Sequence, residues 1–90
     1  MAEVLIDFSH VIVCDGVRYH ARACGSPLKD GTWRGWLEFR SREDGRLIRT
    51  ARETTQPNRV ATVYWATGLS AIYLEGAFER AMDRVRAPQL

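Results

Sequence analysis

No stretch of this sequence approaches the roughly eighteen consecutive apolar residues that a membrane-spanning helix needs, so the residues themselves offer no membrane partner. The N-terminus has no basic lead-in, and its short apolar run Val4-Leu5-Ile6 is interrupted at Asp7. A signal peptide is therefore not expected, and a cytoplasmic location is. Cysteine is scarce: Cys14 and Cys24 are the only two, with His10 and His20 the only histidines. That excludes a disulfide scaffold, and the four residues have no zinc-ligand spacing. No glycine-rich phosphate loop and no paired-carboxylate motif is present, so neither a cofactor nor a metal is implied. A large excess of one charge is missing too. Thirteen basic residues stand against 11 acidic ones, for a net charge of +2. The balance is too even to point to a polyanionic partner by itself.

What is present suits a single domain. Ninety residues are enough for one core and too few for two. Three Trp, three Tyr and three Phe supply burial units of about 150–250 Å² each. The cations are almost all arginine, with Lys29 the sole lysine. Arginine favours bidentate contacts to carboxylate or phosphate. The same bias also follows from the nucleotide composition of a GC-rich genome.

The hydrophobic pattern divides the chain near Thr55. Val4 to Phe8 reads as an edge strand or lead-in, and Val11-Ile12-Val13 within His10 to Cys14 as a buried strand. Asp15-Gly16 is a type I′ hairpin signal. It sets Cys14 opposite Val17, leaves Cys24 far along the next strand, and predicts two buried free thiols. From Val17 to Cys24 the residues alternate, with Val17, Tyr19, Ala21 and Ala23 on one face. Thr32 to Arg40 alternates as well: Trp33, Gly35, Leu37 and Phe39 share a face, Arg34, Trp36, Glu38 and Arg40 the other. After a turn at Glu43-Asp44-Gly45, Leu47 to Thr55 completes a four-stranded meander. Asn58 is a helix N-cap candidate. Val60, Val63, Tyr64 and Thr67 follow at helical spacing, and Gly68 suits a left-handed stop. Ser70 to Leu74 fits a short strand or a helix start. Beyond it Leu74, Phe78, Ala81, Met82 and Val85 form an apolar helical stripe that Pro88 ends. The fold class expected is α+β: an antiparallel sheet of about four strands packed against one or two C-terminal helices.

One segment stands out. Arg52-Glu53-Thr54-Thr55-Gln56-Pro57-Asn58-Arg59 is a run of eight polar or proline residues at the seam between sheet and helices. It must lie at the surface or have its groups paired, because unpaired buried polar groups cost about 1–3 kcal/mol each. A helix N-terminus there offers unpaired N–H donors, and two arginines flank it. The candidate binding residues are Arg52, Glu53, Thr54, Gln56 and Arg59, with Trp36 and Tyr64 adjoining. The competing reading is a capped strand-to-helix connection in which Arg52 and Glu53 pair locally. No catalytic constellation is evident. Cys14 or Cys24 with a histidine has no supporting motif.

These residues also carry a resemblance. Trp33-x-Gly35-Trp36-Leu37-Glu38-Phe39, the run Arg52 to Arg59, Tyr64-Trp65-Ala66-Thr67-Gly68-Leu69 and Tyr73-Leu74-Glu75-Gly76-Ala77 together resemble blocks of a family of short bacterial proteins of unknown function. The resemblance covers most of the chain. It implies a free-standing bacterial domain and brings no activity, ligand or cofactor with it. Three functions follow as expectations. The first is a small non-enzymatic module binding an anionic small molecule or a protein partner through residues 52–59. The second is nucleic-acid binding through the Arg- and aromatic-bearing sheet face. The third is an enzyme subunit using the same polar run.

Overall fold

Two residues with positive φ, Asp15 at 52° and Gly16 at 78°, turn the chain tightly and set the register of the first hairpin. In a computed structural model describing residues 1–86, strand β1 (Glu3–Cys14) pairs antiparallel with β2 (Val17–Pro27), Cys14 lying opposite Val17. The meander continues through β3 (Trp33–Ser41) to β4 (Leu47–Arg49), while β5 (Thr54–Gln56) returns to the same edge of β3. Helices α1 (Arg59–Thr67) and α2 (Ala71–Arg86) follow and cover one face of the sheet. The architecture is α+β, an antiparallel sheet with two C-terminal helices. Pro88 lies outside the described residues.

Strand parity decides which face is covered. Tyr19, Ala21, Ala23, Leu37, Phe39 and Ile48 point to the helices and are buried. They meet Leu74, Ala77, Phe78, Ala81 and Met82 of α2 and Ala66 of α1. Phe78 is the hub: its ring lies 4.8 Å from Tyr19 and 5.3 Å, edge-on, from Phe39. At Gly35, α1 packs directly on the strand backbone. A Cβ there would sit 2.8 Å from the Trp65 ring, so only glycine permits the contact.

Several expectations are corrected. The two segments Val4–Phe8 and His10–Cys14 are one strand, because register shifts between Val4 and Ile6 and between Asp7 and Val11 kink it without ending it. Within Val11-Ile12-Val13 only Ile12 is buried, since nothing packs on the outer face of this edge strand. The fourth strand is split: Leu47–Arg49 pairs with one end of β3, Thr54–Gln56 with the other, and residues 50–53 bulge between them. The phase of α1 also differs. Thr62 and Ala66 face the sheet, whereas Val60 and Tyr64 are 76% and 81% exposed. Thr62 is admitted because its hydroxyl donates to the Asn58 carbonyl at 2.8 Å. Gly68 has φ −88°, so α1 closes through its N–H on the Trp65 carbonyl without a left-handed residue. Of the two readings of Ser70–Leu74 the helix start holds, with Ser70 as the cap and the helix beginning at Ala71. The Ser70 hydroxyl accepts the Tyr73 N–H at 3.1 Å, a side-chain cap that a strand would not use. Val85, the last residue of the expected stripe, is 49% exposed. Gly76 lies within α2, where an added Cβ would meet only the Arg80 side chain, at 3.7 Å.

Candidate anion-binding site

The face of the sheet away from the helices is polar, and Trp36 lies at its centre with 3% exposure. Cys24 is its neighbour across β2, and Glu38 follows two residues along the same face. The Trp36 indole Nε1–H donates to Glu38 Oε2 at 3.0 Å. Arg22, paired with Glu38 across the strands, donates to Oε1 through Nε at 3.0 Å and Nη2 at 2.8 Å. Burial works against the Glu38 charge, but the hydrogen bonds from Trp36 and Arg22 outweigh it and hold the carboxyl below the usual carboxylate range. The same burial, with the Glu38 charge beside it, pushes the Cys24 thiol up to about 12. Cys24 is therefore an inert protonated thiol at neutral pH. Cys14 and Cys24 are both free; Cys24 is buried and Cys14 half-buried.

Around this ring the arginines converge. Arg34 and Arg49 place their guanidinium carbons 5.1 and 5.3 Å from the Trp36 ring centroid, within cation–π range. Arg34 is steadied by its Nε–H, which donates to the Ser26 hydroxyl at 3.0 Å. The bulge at residues 50–53 opens a gap beside Trp36, held by the Thr50 N–H on the Leu37 carbonyl and the Glu53 N–H on the Gly35 carbonyl. Arg52 projects from that bulge. Arg84 arrives from α2 and donates to the Arg49 carbonyl at 3.5 Å. Arg34, Arg49, Arg52 and Arg84, with Trp36, Thr50 and Ala51, line a cavity of about 160 Å³. No acidic side chain lines it. Among the described residues none of the four arginines has a carboxylate partner, whereas Arg18, Arg22, Arg59, Arg80 and Arg86 each do. Sites for drug-sized ligands run about 300–1,000 Å³, so this space suits a single small charged group.

The candidate residues of the polar run are dispersed. Arg52 and Trp36 meet in the cavity. Arg52 Nη1 also donates to Thr55 Oγ1 at 3.2 Å. Glu53 turns the other way, its carboxylate accepting from the Tyr73 hydroxyl and from Arg80, which ties the bulge to α2. Burial, then this contact with Glu53, raises the Tyr73 hydroxyl. Thr54 Oγ1 accepts from Gln56 Nε2 at 2.7 Å. Arg59 forms a two-pronged pair with Glu3, at 2.7 and 3.2 Å. Tyr64 points to solvent on the far side of α1. The N-terminus of α1 is already served: Asn58 Oδ1 accepts the Ala61 N–H at 2.9 Å. Arg49 carried a sequence signal, since period two from Leu47 puts it on the Trp36 face. Arg84 carried none, because its place depends on how α2 packs.

Comparison with known proteins adds no further constraint: no family model, no curated protein and no solved structure matches this chain.

Proposed function

We propose that this domain is a small non-enzymatic binding module whose ligand presents a phosphate-like oxyanion to the cavity over Trp36. The observation that carries the reading is the convergence of four arginines, none of them in an ion pair among the described residues, on one small cavity that no acidic side chain lines. Each arginine is a fork of N–H donors matched to oxyanion geometry, and charge-assisted hydrogen bonds to such a group are about twice as strong as neutral ones. Gathering like charges costs stability, and an anion relieves that repulsion. Trp36 acts as the floor that keeps Arg34 and Arg49 in place. The reading keeps Arg52 of the polar run and the adjoining Trp36, and adds Arg34, Arg49 and Arg84. Glu53, Thr54, Gln56, Arg59 and Tyr64 then serve the junction or the surface. Nucleic-acid binding by base stacking is less well supported, because the buried Trp36 has no ring face free to receive a base.

Titration with inorganic phosphate and pyrophosphate tests this at constant ionic strength, read through the Trp36 indole N–H and the amides of Thr50 to Arg52. Those signals should move, and chloride alone should not move them. An Arg49→Ala/Arg52→Ala variant should bind at least about tenfold more weakly with its fold intact, a loss of about 1.4 kcal/mol. Equal shifts in chloride, or shifts that survive the double substitution, would exclude the site.

A further inference from the structure

The opposite edge of the sheet carries a second surface, unrelated to the arginine cavity. Strand β1 ends the sheet, and among the described residues no strand pairs with its outer side. Edge strands are usually blunted by lysine, proline or a bulge. The first part of β1 has such protection in its two register shifts, before Ile6 and before Val11. Its last part has none. Val11 to Cys14 runs in unbroken register against His20 to Val17 and contains no charge and no proline.

This unprotected stretch borders a groove of about 540 Å³ between β1 and α2. Four consecutive residues, Val11, Ile12, Val13 and Cys14, line it. Successive strand side chains point to opposite faces, so four in a row line one groove only along the strand's edge, where its backbone is presented. Ile12, Phe78 and Met82 give the groove an apolar floor. Its far wall is acidic: Glu75, Glu79 and Asp83 stand at four-residue spacing along one flank of α2. Glu75 is engaged with His10 Nε2 at 3.1 Å, and Arg86, at the end of the groove, lies 3.5 Å from Asp15. Glu79 and Asp83 have no cationic partner among the described residues and are exposed.

We infer that this edge is a docking site for an extended basic segment of a partner protein, which adds a strand to β1 along Val11–Cys14 and sets alternate Lys or Arg side chains against Glu79 and Asp83. Main-chain pairing gives such complexes their affinity and alternate side chains their specificity. Charge complementarity selects the occupant. A second copy pairing antiparallel through β1 would bring the acidic flanks of two α2 helices onto the same side of a continuous sheet, like charge against like.

The experiment uses the whole chain and short capped peptides of alternating Lys and Val. Binding is read by fluorescence anisotropy of a labelled peptide and by the amides of Val11 to Cys14. The Lys-Val peptide should bind and shift those amides. A Glu-Val peptide should not bind, and the Lys-Val peptide N-methylated at alternate residues, which keeps the charge but cannot pair as a strand, should not either. The exposed substitutions Glu79→Lys and Asp83→Lys together should weaken binding about tenfold while thermal melting stays unchanged. Three outcomes would overturn the inference. Equal binding of the N-methylated peptide would mean adsorption by charge alone. Concentration-dependent shifts of Val11 to Cys14 without peptide would make a second copy the occupant. Absence of binding by the Lys-Val peptide would leave the edge without this partner.

Discussion

At the scale of single residues, the chemistry of this domain is concentrated in one polar cluster on the open sheet face. Glu38 is nearly buried, yet three N–H donors from Trp36 and Arg22 keep it charged. A carboxyl held below its ordinary range stabilises the fold at every pH above that range, and the contribution is lost as pH falls through the folded value. Acid unfolding monitored by Trp fluorescence should therefore begin below the usual carboxylate range, and Glu38→Gln should flatten that part of the stability profile. Glu38→Ala should cost about 1–3 kcal/mol by urea denaturation, because it leaves the indole and guanidinium donors short of an acceptor. Cys24 works in the opposite direction. Its thiol is raised, so its contribution is whole below the ordinary thiol range and fades as pH climbs toward about 12. Alkylation of the native protein near neutral pH should mark Cys14 well before Cys24, and equal rates would contradict the burial of Cys24.

At the scale of elements, the helices pack on the sheet by two different devices. Helix α2 buries a continuous stripe. Phe78→Ala should cost about 3–5 kcal/mol, seen as a large fall in melting temperature, while Val85→Ala should cost far less because Val85 lies half in solvent. Helix α1 instead approaches through a contact of ring on backbone, Trp65 over Gly35. Gly35→Ala should destabilise by about 1–3 kcal/mol, since both the rigid ring and the strand must yield to a Cβ at 2.8 Å. A variant as stable as wild type would mean that α1 can slide. The bulge at residues 50–53 is the third element of note. It interrupts β4 and β5 just where Arg52 and Arg49 flank Trp36, so the irregularity of the sheet edge makes the cavity.

At the scale of the whole molecule, a net charge of +2 conceals a strong division. Arginines without carboxylate partners gather at the β4–β5 edge, and acids gather along α2 at the β1 edge. The exposed ion pairs elsewhere hold little of the fold together. Arg59 and Glu3 pair at the surface, and the pair lowers the Glu3 carboxyl and raises the Arg59 guanidinium. Such pairs contribute little net stability. Arg59→Ala should therefore melt like any surface variant and leave phosphate binding at Trp36 unchanged. A loss of phosphate binding in that variant would put the anion site at the helix α1 N-terminus instead.

The sequence alone determined the sheet's local order and its covered face. Alternation over Val17–Cys24 and Thr32–Arg40, and the Asp15-Gly16 turn, are local physics: period two and positive φ need no distant partner. The same is true of the Asn58 cap and of the stripe Leu74-Phe78-Met82. Only the tertiary structure decided the rest. Whether Val11 and Val13 are covered depends on β1 being an edge. Which side of α1 faces inward depends on a glycine three elements earlier, Gly35 of β3, that lets Trp65 in. The run Arg52 to Arg59 is contiguous in the chain but not in space. Its residues diverge because the bulge turns Arg52 and Glu53 to opposite sides, and Arg34, Arg49 and Arg84, distant in sequence, close round Trp36 only once the sheet and α2 have packed.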